Sequence, residues 1–149
     1  MNYSLLLKLS AIAAITLTSL SAQPNAFCAS VSKDDATAIL GAPANHTKDP
    51  SGCDWEDATH KKRLNVAYVN VASMFERAKQ KSATKGKTTD EKGLGGPAFS
   101  TAADSDKGSR VALYCQKGSM TLILDLTESD AAARLPQMRD AMRKLTPKE

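Results

Sequence analysis

Two histidines, His46 and His60, and three cysteines, Cys28, Cys53 and Cys115, are the side chains of this sequence best suited to metal or thiol chemistry. His46 and Asp49 lie close in sequence. His60 follows soon after, with Asp54, Glu56 and Asp57 between. Imidazole and carboxylate are donors that a transition metal accepts. The spacing matches no defined metal pattern, and these residues sit in polar stretches. Solvated loop side chains are the simpler reading, so no metal or cofactor is assigned. A metal-binding or enzymatic protein using His46, Asp49 and His60 stands as an alternative.

Nucleophilic catalysis needs a serine or cysteine beside a base. Gly-x-Ser-x-Gly is absent, and Ser51-Gly52-Cys53 runs into a strand-like stretch with no strand-to-helix elbow. Cys115 has no marked basic neighbour within its strand. Gly93-Leu94-Gly95-Gly96 lacks the lysine and hydroxyl of a phosphate loop, which favours a tight packed turn. The clusters Lys61-Lys62-Arg63 and Lys79, Lys81, Lys85, Lys87 can touch an anionic surface, but scattered lysines usually form a solvated face. No catalytic residue is assigned, and the chain reads as non-enzymatic.

The elements that must position these residues fit one domain. The chain has 149 residues. Residues 1–22 read as a secretory signal peptide, with Lys8 the single charge, an apolar run from Leu9 to Leu20, and small residues at Ser21-Ala22. Cleavage falls after Ala22 or as late as Ala29, leaving a globular domain over residues 30–147. The apolar run is too short to span a bilayer, and no other run approaches that length, so no stable membrane span is expected in the mature chain. Phe27 before Cys28 argues against a lipid anchor. Losing Lys8 takes the formal charge from +4 to +3, far from the dense basic surface of a nucleic-acid binder. The expected address is secreted or periplasmic. In an oxidising compartment thiols pair, so Cys53 and Cys115, both in strand-like segments, are the expected disulfide. Closing that loop stabilises by roughly 4 kcal/mol in the chain-entropy account. The alternative is two reduced core cysteines. Cys28 is removed with the signal or left odd.

The stretch Arg110–Leu126 organises the domain. Val111, Leu113 and Cys115 alternate with Ala112, Tyr114 and Gln116. After Lys117-Gly118, Met120, Leu122, Leu124 and Leu126 share one face. That is a β-hairpin, with Gly118 supplying positive φ at the turn. Ser32 and Asp35 open a first helix with Ala36, Ile39 and Leu40 inward, stopped by Gly41 and Pro43. Residues 42–52 read as loop, Cys53–Glu56 as a strand, and Leu64–Val71 as a central strand. Ser73 and Glu76 open a second helix with Met74, Phe75 and Ala78 inward, ending by Thr84. Residues 84–93 read as a mobile polar loop. Residues 93–99 read as a loop lying against the sheet, and 100–109 as polar loop again. Leu135, Met138, Met142 and Leu145 recur at helical spacing. Pro136 either kinks this last helix or opens it. The fold class is α+β: an antiparallel sheet of about four strands covered on one face by helices, in the order α-β-β-α-β-β-α.

Ile39-Leu40-Gly41, Ser51-Gly52-Cys53-Asp54-Trp55, Gly93-Leu94-Gly95-Gly96-Pro97-Ala98-Phe99 and the Lys117-Gly118 hairpin together resemble small secreted bacterial domains of unknown function. These are similar to the extracellular sensor domains of some mycobacterial receptor kinases and to secreted actinobacterial lipoproteins. The likeness spans about residues 31–145. It implies a helix-covered antiparallel sheet, an envelope or extracellular setting, and binding rather than catalysis. This chain has no lipobox and no kinase or membrane segment, so neither anchoring nor signalling carries over, and no functional residue is transferred. The expectation is an exported, non-enzymatic binding module whose partner is a protein or another envelope or extracellular ligand. A structural envelope protein is the remaining class. Trp55, Tyr68 and Tyr114 are the interface candidates if they stand exposed.

Overall fold

The computed structural model describes residues 30–47, 54–71, 73–85, 87–105 and 108–145. In chain order the elements are α1 (Lys33–Leu40), β1 (Asn45–His46), β2 (Asp54–Glu56), β3 (Arg63–Val69), α2 (Met74–Ala83), β4 (Lys87–Glu91), β5 (Ala98–Ser105), β6 (Gly108–Lys117), β7 (Met120–Glu128), a 3-10 turn (Ala131–Arg134) and α3 (Leu135–Lys144). The strands form one sheet in the order β1-β2-β3-β7-β6-β5-β4. Every neighbouring pair is antiparallel. The mixed α and β class expected from the sequence is present. The expected four strands are seven, and the element order changes accordingly.

The β6–β7 hairpin forms as its alternation dictates. Val111, Leu113 and Cys115 face inward beside Leu126, Leu124 and Leu122. Leu64 and Val66 of β3 continue those rows, and all of these side chains are at most 2% exposed. The helices α1 and α3 close this inner face with Ala36, Ile39 and Leu40, and with Met138, Ala141, Met142 and Leu145. Each fully buried Leu, Ile or Met contributes roughly 1.5–3 kcal/mol, so this layer carries the fold. Ser32 caps α1 through the Asp35 amide at 3.1 Å, and Gly41 ends it in the left-handed region at φ 59°. Pro136 lies in the first turn of α3, after the 3-10 turn, so the helix starts there rather than kinking.

Three cations tie helix ends and edges to the sheet. Lys117, at the hairpin tip, donates to the carbonyls of Met142 (2.9 Å) and Leu145 at the C-terminus of α3, where positive charge is favoured. Lys62 donates to the Leu40 carbonyl at the end of α1 (2.9 Å) and pairs with buried Glu128. Arg139 of α3 grips Glu91 of edge strand β4 through Nε (2.7 Å) and Nη2 (2.9 Å), while Ser100 donates to the same carboxylate.

The expectation that helices cover one sheet face is corrected. α2 packs on the opposite, outer face, where Phe75 meets Phe99 edge-on at 5.1 Å and Phe99 stacks on Tyr114 at 4.5 Å. Ser73 makes no side-chain cap bond, so the expected capping box at α2 is absent. Two expected loops are strands. β4 lies within 84–93, and β5 runs through 98–105. Their polar sequences hide the strand pattern, because β4 is an edge strand and β5 packs with small residues. Backbone pairing places both. The short β1 occupies part of the expected 42–52 loop. The loop around Gly93–Pro97 does lie against the sheet, with Leu94 buried and the Pro97 carbonyl accepting from the Gln116 amide at 2.8 Å.

That close approach leaves no room at Gly96. A Cβ there would stand 1.9 Å from the Gln116 carbonyl oxygen. Gly96→Ala is expected to cost about 2–3 kcal/mol in urea unfolding with an unchanged slope. A loss within experimental error would contradict this packing. A second prediction concerns acid. Hydrogen bonding from Arg139 holds Glu91 below its ordinary 4.5, against the opposing effect of burial. A carboxylate with a depressed folded pKa adds stability that is complete above its unfolded value and lost as pH falls through the folded one. Stability should therefore fall between about pH 5 and pH 3, and Glu91→Gln should flatten that slope. An unaltered slope in the variant would sink the assignment.

Candidate functional site

The register places two polar rows side by side on the half of the outer face that α2 leaves bare. One row is Asp54–Asn65–Asp125, from β2, β3 and β7. The next is Glu56–Arg63–Thr127–Arg110, from β2, β3, β7 and β6. Period-two alternation puts them there: each of these residues neighbours a core side chain such as Trp55, Leu64, Leu124, Leu126 or Val111. Asp54, Arg63, Asn65, Arg110, Asp125 and Thr127 line an open groove of about 290 Å³.

Two ion pairs of the same build dominate it. Asp54 accepts from Arg63 Nε at 3.0 Å, from Arg63 Nη2 and from Asn65 Nδ2. Asp125 accepts from Arg110 Nε at 2.8 Å and from its Nη2. In each pair the acid lies below and the base above. The Asp54 and Asp125 side chains are 1% and 13% exposed, while Arg63 and Arg110 are 58% and 63% exposed. A carboxylate this buried survives because the guanidinium and amide satisfy it. Hydrogen bonding to Asp125 raises the Arg110 pKa, keeping it charged. Burial raises the Tyr114 pKa, with the Asp125 charge adding to it, so this phenol stays neutral beside the groove. Ala67–Ile123–Tyr114 form the next row along the same face.

The residues singled out from the sequence fall elsewhere or apart. His46 stacks on Trp55 with ring centroids 3.5 Å apart. His60, at φ 57° in the β2–β3 turn, pairs with Glu56 at 2.8 Å, which raises its pKa. Trp55 and Glu56 are adjacent on β2 and face opposite sides, so the two imidazoles are held on opposite sides of that strand. Asp49 lies outside the described residues. Among the described residues no group of three His, Cys, Asp or Glu is placed to hold a metal. Of the interface candidates, Trp55 is core at 4% exposure and Tyr68 packs against the core. Tyr114 is part-covered, stacked on Phe99 at the groove's border. Arg63 belongs to the basic cluster Lys61-Lys62-Arg63 read from the sequence, whereas Asn65, Arg110 and Asp125 carry no local motif. The signal available was a polar residue at successive outward positions, Arg63 and Asn65 on β3 and Asp125 and Thr127 on β7, within otherwise apolar strands.

Cys115 is a free buried thiol donating to the Leu94 carbonyl at 3.5 Å. Cys53, its expected partner, lies outside the described residues. The Cys53–Cys115 pairing therefore lies outside the described residues, within which Cys115 is a thiol. Burial raises its pKa, leaving it protonated and a poor nucleophile.

No protein-family profile matches the chain, and no curated protein matches it. Among solved structures it is similar to the solution structure of cyanobacterial PsbP (CyanoP) from Synechocystis sp. PCC 6803. The identity is 10%, over 62% of this chain and 71% of that one, with a TM-score of 0.39. A likeness of that size leaves fold and function to be argued from the residues themselves. Among the described residues no helix is long and apolar enough to cross a membrane.

The thiol geometry has a direct check. In the folded protein Cys115 should resist a water-soluble thiol reagent, and denaturation should expose it. Rapid labelling of native Cys115, or its recovery in a disulfide-linked peptide, would contradict the free buried state.

Proposed function

We propose that this protein is an exported, non-enzymatic binding module of the bacterial envelope or extracellular space, and that the open half of the outer sheet face is its contact surface. The observation that carries the reading is the unequal cover of the sheet. α1 and α3 close the inner face, while α2 alone lies on the outer one and leaves a built polar groove beside it. Arginines held by buried acids are pre-oriented, so little side-chain freedom is lost on contact. The groups that could begin a chemical reading already have partners or are covered: His46 stacks on Trp55, His60 pairs with Glu56, and Cys115 is buried. The leader-like residues 1–22 support export.

A photo-crosslinking residue at position 127, in the groove, tests this in the native host. The mature chain should appear in the periplasmic or culture fraction, shortened by 22 to 29 residues. Position 127 should give a specific adduct, and position 38, exposed on α1 in the opposite layer, should not. Adducts from neither position, or equally from both, would overturn the assignment of this face.

A further inference from the structure

We infer that the open outer face docks an acidic segment of a partner protein, its carboxylates meeting Arg63 and Arg110 and its aliphatic side chains resting on Ala67 and Ile123. This rests on the binding-module reading and names its partner's chemistry. Both ion pairs stand with their positive ends toward solvent and their negative ends toward the sheet. Their charges cancel at a distance, yet at contact range the groove presents guanidinium. In Arg110 the acid occupies the edge formed by Nε and Nη2. The Nη1 edge is the second bidentate edge of the fork and matches a carboxylate. Arg63 and Arg110 share one cross-strand row with Thr127 between them, two strand spacings or about 10 Å apart. Two carboxylates of one segment can bridge that span.

The same surface discriminates among anions. A free small anion gains only the guanidinium edges and meets the opposing charge of Asp54 and Asp125 below. A nucleic acid or polyanion needs a dense basic field, and here each exposed arginine carries its own acid. An acidic protein segment adds apolar burial. Ala67 and Ile123 continue the face beyond the charged rows, both part-buried, and Val71 just past β3 is half exposed. Arginine and tyrosine are enriched among the side chains that carry binding energy at protein contacts, and Arg63, Arg110 and Tyr114 border this face.

The test uses the mature full-length protein and two short fluorescent peptides, one alternating glutamate and valine, the other lysine and valine. Anisotropy reads the affinity, and amide shifts read the site. The glutamate peptide should bind saturably, shift Arg63, Thr127, Arg110, Ala67 and Ile123, and weaken as salt is raised. Arg110→Gln should weaken it about tenfold. Thr127→Glu places a carboxylate between the two arginines, which the fold tolerates on an exposed groove, and should weaken it at least as much. No binding, equal binding of the lysine peptide, or shifts elsewhere overturns the proposal. Saturation of the same residues by inorganic phosphate or heparin alone overturns it in favour of a general anion site. Probe-free dimerisation through these residues overturns it in favour of a second copy. An adduct at position 127 without glutamate-peptide binding leaves the face as the contact surface and removes only the acidic class.

Discussion

A sheet has two faces to keep from water, and this chain spends its helices unevenly. α1 and α3 lie on the inner face, against rows of leucine, valine and cysteine from β3, β7 and β6. The outer face receives α2 alone, seated on Phe99 and Tyr114. An open face must be polar, and an antiparallel sheet permits this because alternate residues face opposite ways. At the groove, the outward positions of β2, β3, β7 and β6 are accordingly Asp54, Arg63, Asn65, Asp125, Thr127 and Arg110, with Ala67 and Ile123 continuing the face beyond them. What looks like a site is first the solution to a covering problem, and its chemistry follows from that.

Charge serves a consistent purpose across the molecule. Buried or half-buried acids sit at points where one element must hold another: Glu91 between β4 and α3, Glu128 between β7, Lys62 and Arg134, Asp35 between α1 and Lys144. Removing one partner of such a pair leaves a desolvated charge, so these contacts fix arrangement more than they add net stability. The groove pairs Asp54–Arg63 and Asp125–Arg110 differ because their basic ends are more than half exposed. Each joins neighbouring strands of the sheet.

The apolar periodicities were legible. The hairpin, the first helix with its Ser32 cap, the inner face of α3 and the strand around Leu64–Val69 all follow from hydrophobic spacing and local caps. The missed strands lack that signal. β4 reads Lys-Thr-Thr-Asp-Glu, and its place is set by pairing with β5 rather than by side chains. Sheet order was equally hidden. β3 pairs with β7, which brings Asn65 beside Asp125, about sixty residues later in the chain. That single long-range pairing assembles the groove, and no local spacing announces it.

The proposed contact surface requires that half of the outer face be open to solvent in the free protein while the inner face is closed. A soluble paramagnetic probe measures this directly by methyl relaxation. Ala67, Ile123 and Thr127 should relax strongly, and Leu113, Leu124 and Leu126 should be shielded. If the outer-face methyls are shielded to the same degree as the inner leucines, the face is already covered, and the binding surface is not where the sheet places it.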